Sequence, residues 1–128
     1  MAAAFALGAE GVQMGTQMVA SAESPVHENW KNAILNAHET DTLFLNQKHS
    51  PALRALRTER SEQLLDSSEN VFGEFGNPMD LYFGGDMEAA IALSGQIAGR
   101  ISKIRTVQEI ISETVNEFSK TIERLSAK

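Results

Sequence analysis

The chain has 128 residues, enough for one domain, and its 42% hydrophobic and 22% charged residues are a globular composition, not a disordered one. Seventeen acids against eleven bases leave a net charge of −6, which argues against general nucleic-acid binding, because that rests on Lys and Arg neutralising phosphates. Cysteine is absent, so disulfides, zinc-thiolate sites and cysteine nucleophiles are excluded.

Met1 to Leu7 is small and apolar, but no basic region precedes it, and Glu10, Gly11 and Gln13 interrupt the run. It reads against a secretory signal, and nothing approaches the roughly 18 continuous apolar residues of a membrane span. Ala2 to Leu7 favours helix, with Gly8 where a left-handed C-terminal cap belongs. That helix begins without an N-cap, as if the chain started inside an element. Gly11 to Met14 reads as a short buried strand, and Gly15-Thr16 ends it before a helical turn at Gln17 to Ala20. Helix, strand, Gly-Thr and short helix is the order of a β/α protein.

Ser24 and Pro25 predict an N-cap and a first helical position. Val26, Trp30, Ala33, Ile34 and Ala37 then share one face of a helix from Pro25 to about Ala37. Asp41 to Asn46 predicts a strand. Ala52 to Arg57 fits either a helix or the second strand of a hairpin. Thr58 to Ser67 reads as a polar helix with Leu64 and Leu65 buried. Asn70 to Gly85 is a glycine-punctuated loop carrying Phe72, Phe75, Tyr82 and Phe83. Asp86 is placed as an N-cap for a helix over Met87 to Leu93, and Ser94-Gly95-Gln96 precedes another helical run, Ile97 to Ile104. In the last helix Thr106 and Glu109 form a capping box. Val107, Ile110, Ile111, Val115, Phe118, Ile122 and Leu125 make its apolar stripe, which reads as core, docking on a barrel or a partner chain. Lys120, Arg124 and Lys128 near its end match the helix dipole.

A strand ending in Gly-Thr before a helical turn suits an anion. Glycine lets backbone approach, the free N–H groups of the turn point outward, and Thr16 adds a hydroxyl donor. The commoner reading of such a pair is a simple turn. The histidines His27, His38 and His49 read as solvated or capping groups, and Arg54, Arg57 and Arg60 as a solvated face. The four rings read either as loop packing or as a substrate pocket, and Trp30 as helix core.

The run from Ala3 to Thr16, ending in Gln13-Met14-Gly15-Thr16, resembles the late-barrel segment of the nitronate monooxygenase family. That family was formerly called 2-nitropropane dioxygenase, and it includes the FMN-dependent enoyl-acyl-carrier-protein reductases. The resemblance continues through Ser24 to Lys31, Glu39 to Thr42, Gly85 to Glu88 and Ser94-Gly95-Gln96-Ile97-Ala98-Gly99. It covers nearly the whole chain. It implies an α/β fold, the C-terminal fragment of a (β/α)8 TIM barrel, predominantly helical within this chain. The implied parts are a last barrel helix, strand and phosphate loop (1–23), a helix and hairpin (24–69), a glycine-rich loop and flavin-facing turn (70–105), and a terminal helix (106–128).

In such barrels the phosphate sits near the loops after the last strands. The resemblance therefore places Gln13, Met14, Gly15 and Thr16 at the phosphate end of FMN, and Gln96 toward the flavin ring or the substrate. No catalytic residue and no metal site is expected in this chain. The family's catalytic histidine has no counterpart, since His27, His38 and His49 do not match it. Gln17-Met18 stands where the family often has Arg-Phe, so a positive charge is expected to be missing near the phosphate. The implied function is an FMN-dependent oxidoreductase that oxidises alkyl nitronates with dioxygen. The alternative is an enoyl reductase acting on an enoyl thioester with NAD(P)H, toward which the Gly95 to Gly99 motif leans, and a third reading is a non-catalytic helical remnant. A cytoplasmic protein with a small-molecule substrate and no membrane or nucleic-acid partner is expected, and a homo-oligomer is allowed.

Overall fold

The computed structural model describes residues 1–127; the expected role of Lys128 at the helix end lies outside them. The chain is a short mixed α/β structure. Its helices are α1 (Ala2–Ala6), α2 (Thr16–Val19), α3 (Glu28–Asn36), α4 (Glu59–Gln63), α5 (Pro78–Tyr82) and α6 (Val107–Ser126). Its strands are β1 (Thr42–Leu45) and β2 (Leu53–Leu56), and 3-10 turns span Val71–Glu74 and Gln96–Arg100.

The ambiguity at Ala52 to Arg57 resolves as a strand. β1 and β2 pair antiparallel, with Thr42 opposite Leu56 and Leu45 opposite Leu53. Residues 87–93 are not the expected helix. Ala55 and Leu93 form an antiparallel bridge, Leu56 N–H donates to the Ala92 carbonyl at 2.9 Å, and Ser94 N–H donates to the Arg54 carbonyl at 3.0 Å. Asp86 caps no helix; its Oδ1 accepts from Glu88 N–H at 2.9 Å in a local turn. Alanine-rich propensity favoured helix here, but the period of two decides. Ala90 and Ala92 face one core cluster and Ile91 the other, as Leu56 and Ala55 do on β2. β2 and this segment thus send side chains into both core clusters, while Phe44 on β1 and Leu93 stay exposed. One cluster gathers around Trp30, Ile34, Leu81 and Ile101, the other around Leu43, Leu45, Leu64 and Val71.

Helix α3 starts later than Pro25. Its cap is His27, whose Nδ1 accepts from Asn29 N–H at 3.1 Å, while Ser24 offers only its carbonyl, to Lys31 Nζ at 2.7 Å. The His27 backbone N–H donates to the Tyr82 carbonyl, and Tyr82 stacks on Trp30 with ring centroids 5.0 Å apart. That anchoring fixes the helix start from outside the local sequence. Ile34 is fully buried in the same core cluster as Trp30. Ile34→Ala is expected to destabilise the fold by about 2–5 kcal/mol, read as a lower urea midpoint.

Other expectations shift in smaller ways. Leu64, the C-cap of α4, is buried, but Leu65, one residue past the cap, is exposed. The run from Ile97 is a short 3-10 turn, not a helix to Ile104. Phe72 and Phe83 are half exposed, so those rings line no enclosed pocket. Gly8 takes φ +93° after α1, as a left-handed cap requires.

Helix α6 keeps its predicted capping box. The Thr106 hydroxyl accepts from Glu109 N–H at 3.1 Å, and Glu109 Oε2 accepts from Thr106 N–H at 2.7 Å. Of the apolar stripe, Ile110 is buried and Phe118 packs on Phe5 of α1 at 5.1 Å between centroids. Ile111, Val115, Ile122 and Leu125 stay exposed, because no described element reaches that edge of the helix.

Candidate anion site

Met14 is followed by Gly15-Thr16, as expected, but Gly11 to Met14 is not a strand. A strand needs a ladder, and the amides of these four residues find no backbone partner among the described residues. The segment is extended coil leading into α2. Gly15 caps α2, and the amides of Gly15, Thr16 and Gln17 likewise make no backbone hydrogen bond among the described residues.

Thr16 is only 8% exposed. Its Oγ1 accepts from Gly95 N–H at 2.8 Å, across 79 positions of sequence. This bond joins the two motifs that the sequence singled out. A hydroxyl that spends a lone pair on Gly95 still has its proton to donate.

A cavity of about 790 Å³ opens at this junction. Gln13, Met14, Gly15, Thr16 and Gln17 line it with Gly95, Ile97 and Arg105, α6 lines it with Ile110, Thr114, Glu117, Phe118 and Thr121, and Met1, Ala2 and Ala3 at the start of α1 complete it. Four of the five expected binding residues therefore come together. Gln96 does not join them: it is exposed, although its neighbours Gly95 and Ile97 line the cavity.

The loop wall is rich in donors. It carries the three amides and the Thr16 hydroxyl. Gln17 Nε2 and Arg105 Nε are buried without a hydrogen-bond partner, as are Trp30 Nε1 and Arg60 Nε away from this cavity. On the α6 wall, Thr114 and Thr121 give their protons to the carbonyls of Ile110 and Glu117, both at 2.7 Å. The donor set thus lies at one end, and its chemistry fits a phosphate.

Arg105 and Gln17 are the residues that sequence reasoning missed. Gln17 was read only as the loss of an arginine, and no local pattern links it to Arg105. Arg54, Arg57 and Arg60 lie away from the cavity. Arg54 sits 5.4 Å over the Phe44 ring, Arg57 pairs with Glu62 at 2.8 Å, and Arg60 donates to the Glu74 carbonyl at 2.8 Å. His49 Nε2 meets the Ser68 carbonyl at 2.9 Å, and none of the three histidines lines the cavity. Among the described residues there is no cluster of metal ligands, and no helix is long and apolar enough to cross a membrane.

One ionisable group is shifted. Hydrogen bonds from the Thr106 backbone, then from its side chain, hold the Glu109 carboxyl below the ordinary glutamate range, and Lys103 and Arg105 add to the effect. A depressed folded-state pKa stabilises above the unfolded value and is lost as pH falls through the folded one. The first turn of α6 is therefore expected to loosen in acid, below the ordinary glutamate pKa. Faster amide exchange at Thr106 as pH falls, after correction for intrinsic rates, would report it, and Glu109→Gln would remove the dependence.

The α/β chain thus joins its Gly-Thr loop to a distant glycine-rich turn beside one cavity. The model of the family described as nitronate monooxygenase matches residues 1–117, and the chain belongs to that family. A probable nitronate monooxygenase of Staphylococcus aureus is 27% identical over 94% of the chain, and one of Staphylococcus saprophyticus is 41% identical over 56% of it. FabK of Thermotoga maritima superposes with a TM-score of 0.83 at 39% identity over 99% of the chain, and a mutant of it does so at 40% identity. The chain spans 36% of the Staphylococcus aureus relative and 42% of FabK.

Proposed function

We propose that this chain forms the phosphate end of the flavin site of an FMN-dependent oxidoreductase. The observation that carries the reading is that the amides of Gly15, Thr16 and Gln17, which make no backbone hydrogen bond among the described residues, share the lining of a single cavity with Arg105. The amides of Gly15 and Thr16 and the Thr16 hydroxyl hold the phosphate, with Gln13 and Met14 beside them. Gln96 is assigned to the flavin ring or the substrate, outside this cavity. When bound, FMN supplies the electron-transfer chemistry, and these residues supply binding and orientation.

Two activities of the family fit, oxidation of alkyl nitronates by dioxygen and reduction of an enoyl thioester by NAD(P)H. Family membership and the curated relatives support the first. The second is favoured by the likeness to FabK, which runs over 99% of the chain at about 40% identity, against 27% over 94% for the Staphylococcus aureus relative. The purified chain, mixed with FMN and desalted, is expected to retain a perturbed flavin spectrum. A colourless protein would reject the proposal. Oxygen uptake with an alkyl nitronate, set against NAD(P)H oxidation with an enoyl thioester, separates the two activities.

A further inference from the structure

Gln17 follows the Gly-Thr loop, and the fold brings Arg105 to it from 88 positions away. Ala22 N–H donates to the Arg105 carbonyl at 2.9 Å, and Ser21 and Arg105 form a parallel bridge. Glu23 accepts from Val107 N–H at 2.9 Å, one step further on. These bonds bind the strand-like entry of α6 to the segment that follows the loop. Held there, Arg105 donates from Nη2 to Gln17 Oε1 at 3.3 Å, and Nη1 pairs with Glu113. Its side chain is 21% exposed, and Arg105 Nε and Gln17 Nε2 are buried without partners.

Among the residues that line the cavity, Arg105 is the one lysine or arginine. A guanidinium at that wall offers a planar fork suited to phosphate oxygens. We propose that Arg105, oriented by Gln17 and restrained by Glu113, is the cation of this site and binds the flavin phosphate. The proposal rests on the flavin reading above. Glu113 is half exposed and competes for the guanidinium, so it weakens the attraction that the arginine offers.

The test titrates FMN, and riboflavin, which lacks the phosphate, into the full chain and into Arg105→Met, Arg105→Lys and Glu113→Gln, following flavin fluorescence. Arg105→Met is expected to weaken FMN on the order of 10- to 100-fold, as loss of a charge-assisted hydrogen bond does, while riboflavin changes by less than about twofold. Arg105→Lys recovers part of the loss, and Glu113→Gln tightens FMN. Equal weakening of both flavins would make Arg105 a structural clamp and overturn the proposal. Unchanged FMN binding in Arg105→Met would overturn it too, while the flavin reading stands. If Arg105→Met does not fold, Glu113→Gln decides: unchanged or weaker FMN binding rejects the proposal. If the wild-type chain binds neither flavin, the flavin reading fails and inorganic phosphate decides. Phosphate raising the melting temperature of wild type, but not of Arg105→Lys to the same degree, supports an anion site at Arg105; no rise in wild type rejects it.

Discussion

Thr16→Val is expected to lower stability by about 1–3 kcal/mol and to weaken FMN about tenfold or more. Valine matches the shape of threonine but has no hydroxyl, and Thr16 is almost fully buried. Two losses follow from one atom. The Gly95 N–H, now 2.8 Å from Thr16 Oγ1, is left without an acceptor and tends to draw the Gly95 turn toward water. The proton that the hydroxyl offers into the cavity also disappears. Thr16→Ser keeps both functions and should stay close to wild type in affinity. Urea unfolding reads the first loss and flavin fluorescence the second. A valine variant equal to wild type in both would remove Thr16 from the site and the Thr16–Gly95 bond from the stability of the fold.

Gly99→Ala is expected to cost about 1–3 kcal/mol or more, with FMN affinity falling alongside. A Cβ at Gly99 would stand 2.5 Å from the Glu39 nitrogen and from the His38 carbonyl carbon. Those are backbone atoms of the segment that leaves α3, so no flexible side chain can yield. The 3-10 turn Gln96–Arg100 would have to lift off, taking with it the Gly95 that holds Thr16. Gly95→Ala is the control. There the added carbon meets Thr16 Oγ1 at 3.5 Å, an ordinary contact, and φ is −77°, which alanine adopts freely. Thermal melts of the two variants should separate clearly. Equal melts would show that the Gly99 contact relaxes without cost.

Those two glycines show how far the sequence could be read. The motif from Gly95 to Gly99 was visible as a motif, yet its two glycines have different reasons. One gives its amide to Thr16, and the other makes room for the chain after His38. Neither reason is local, because the partners lie 79 and about 60 positions away. The same distance hid Arg105. Its neighbour Thr106 was legible as a cap, since a capping box is complete within four residues. The pairing of Arg105 with Gln17 depends on the entry of α6 running beside Ser21 to Glu23, which no periodicity records.

By itself the sequence determined the short-range features and the family. These were the first strand of the hairpin, the apolar face around Trp30 and Ile34, the left-handed Gly8, the capped α6 and the Gly15-Thr16 loop. Each is decided by forces acting within a turn or two of chain. Only the tertiary structure decided the rest. It drew residues 87–93 beside β2 despite their helical composition, because alternating Ala90, Ile91 and Ala92 fill both core clusters at once. It denied Gly11 to Met14 a ladder, so that segment is coil. And it joined Thr16 to Gly95 and Gln17 to Arg105, since hydrogen bonds across 79 and 88 positions exist only once folding brings the partners together.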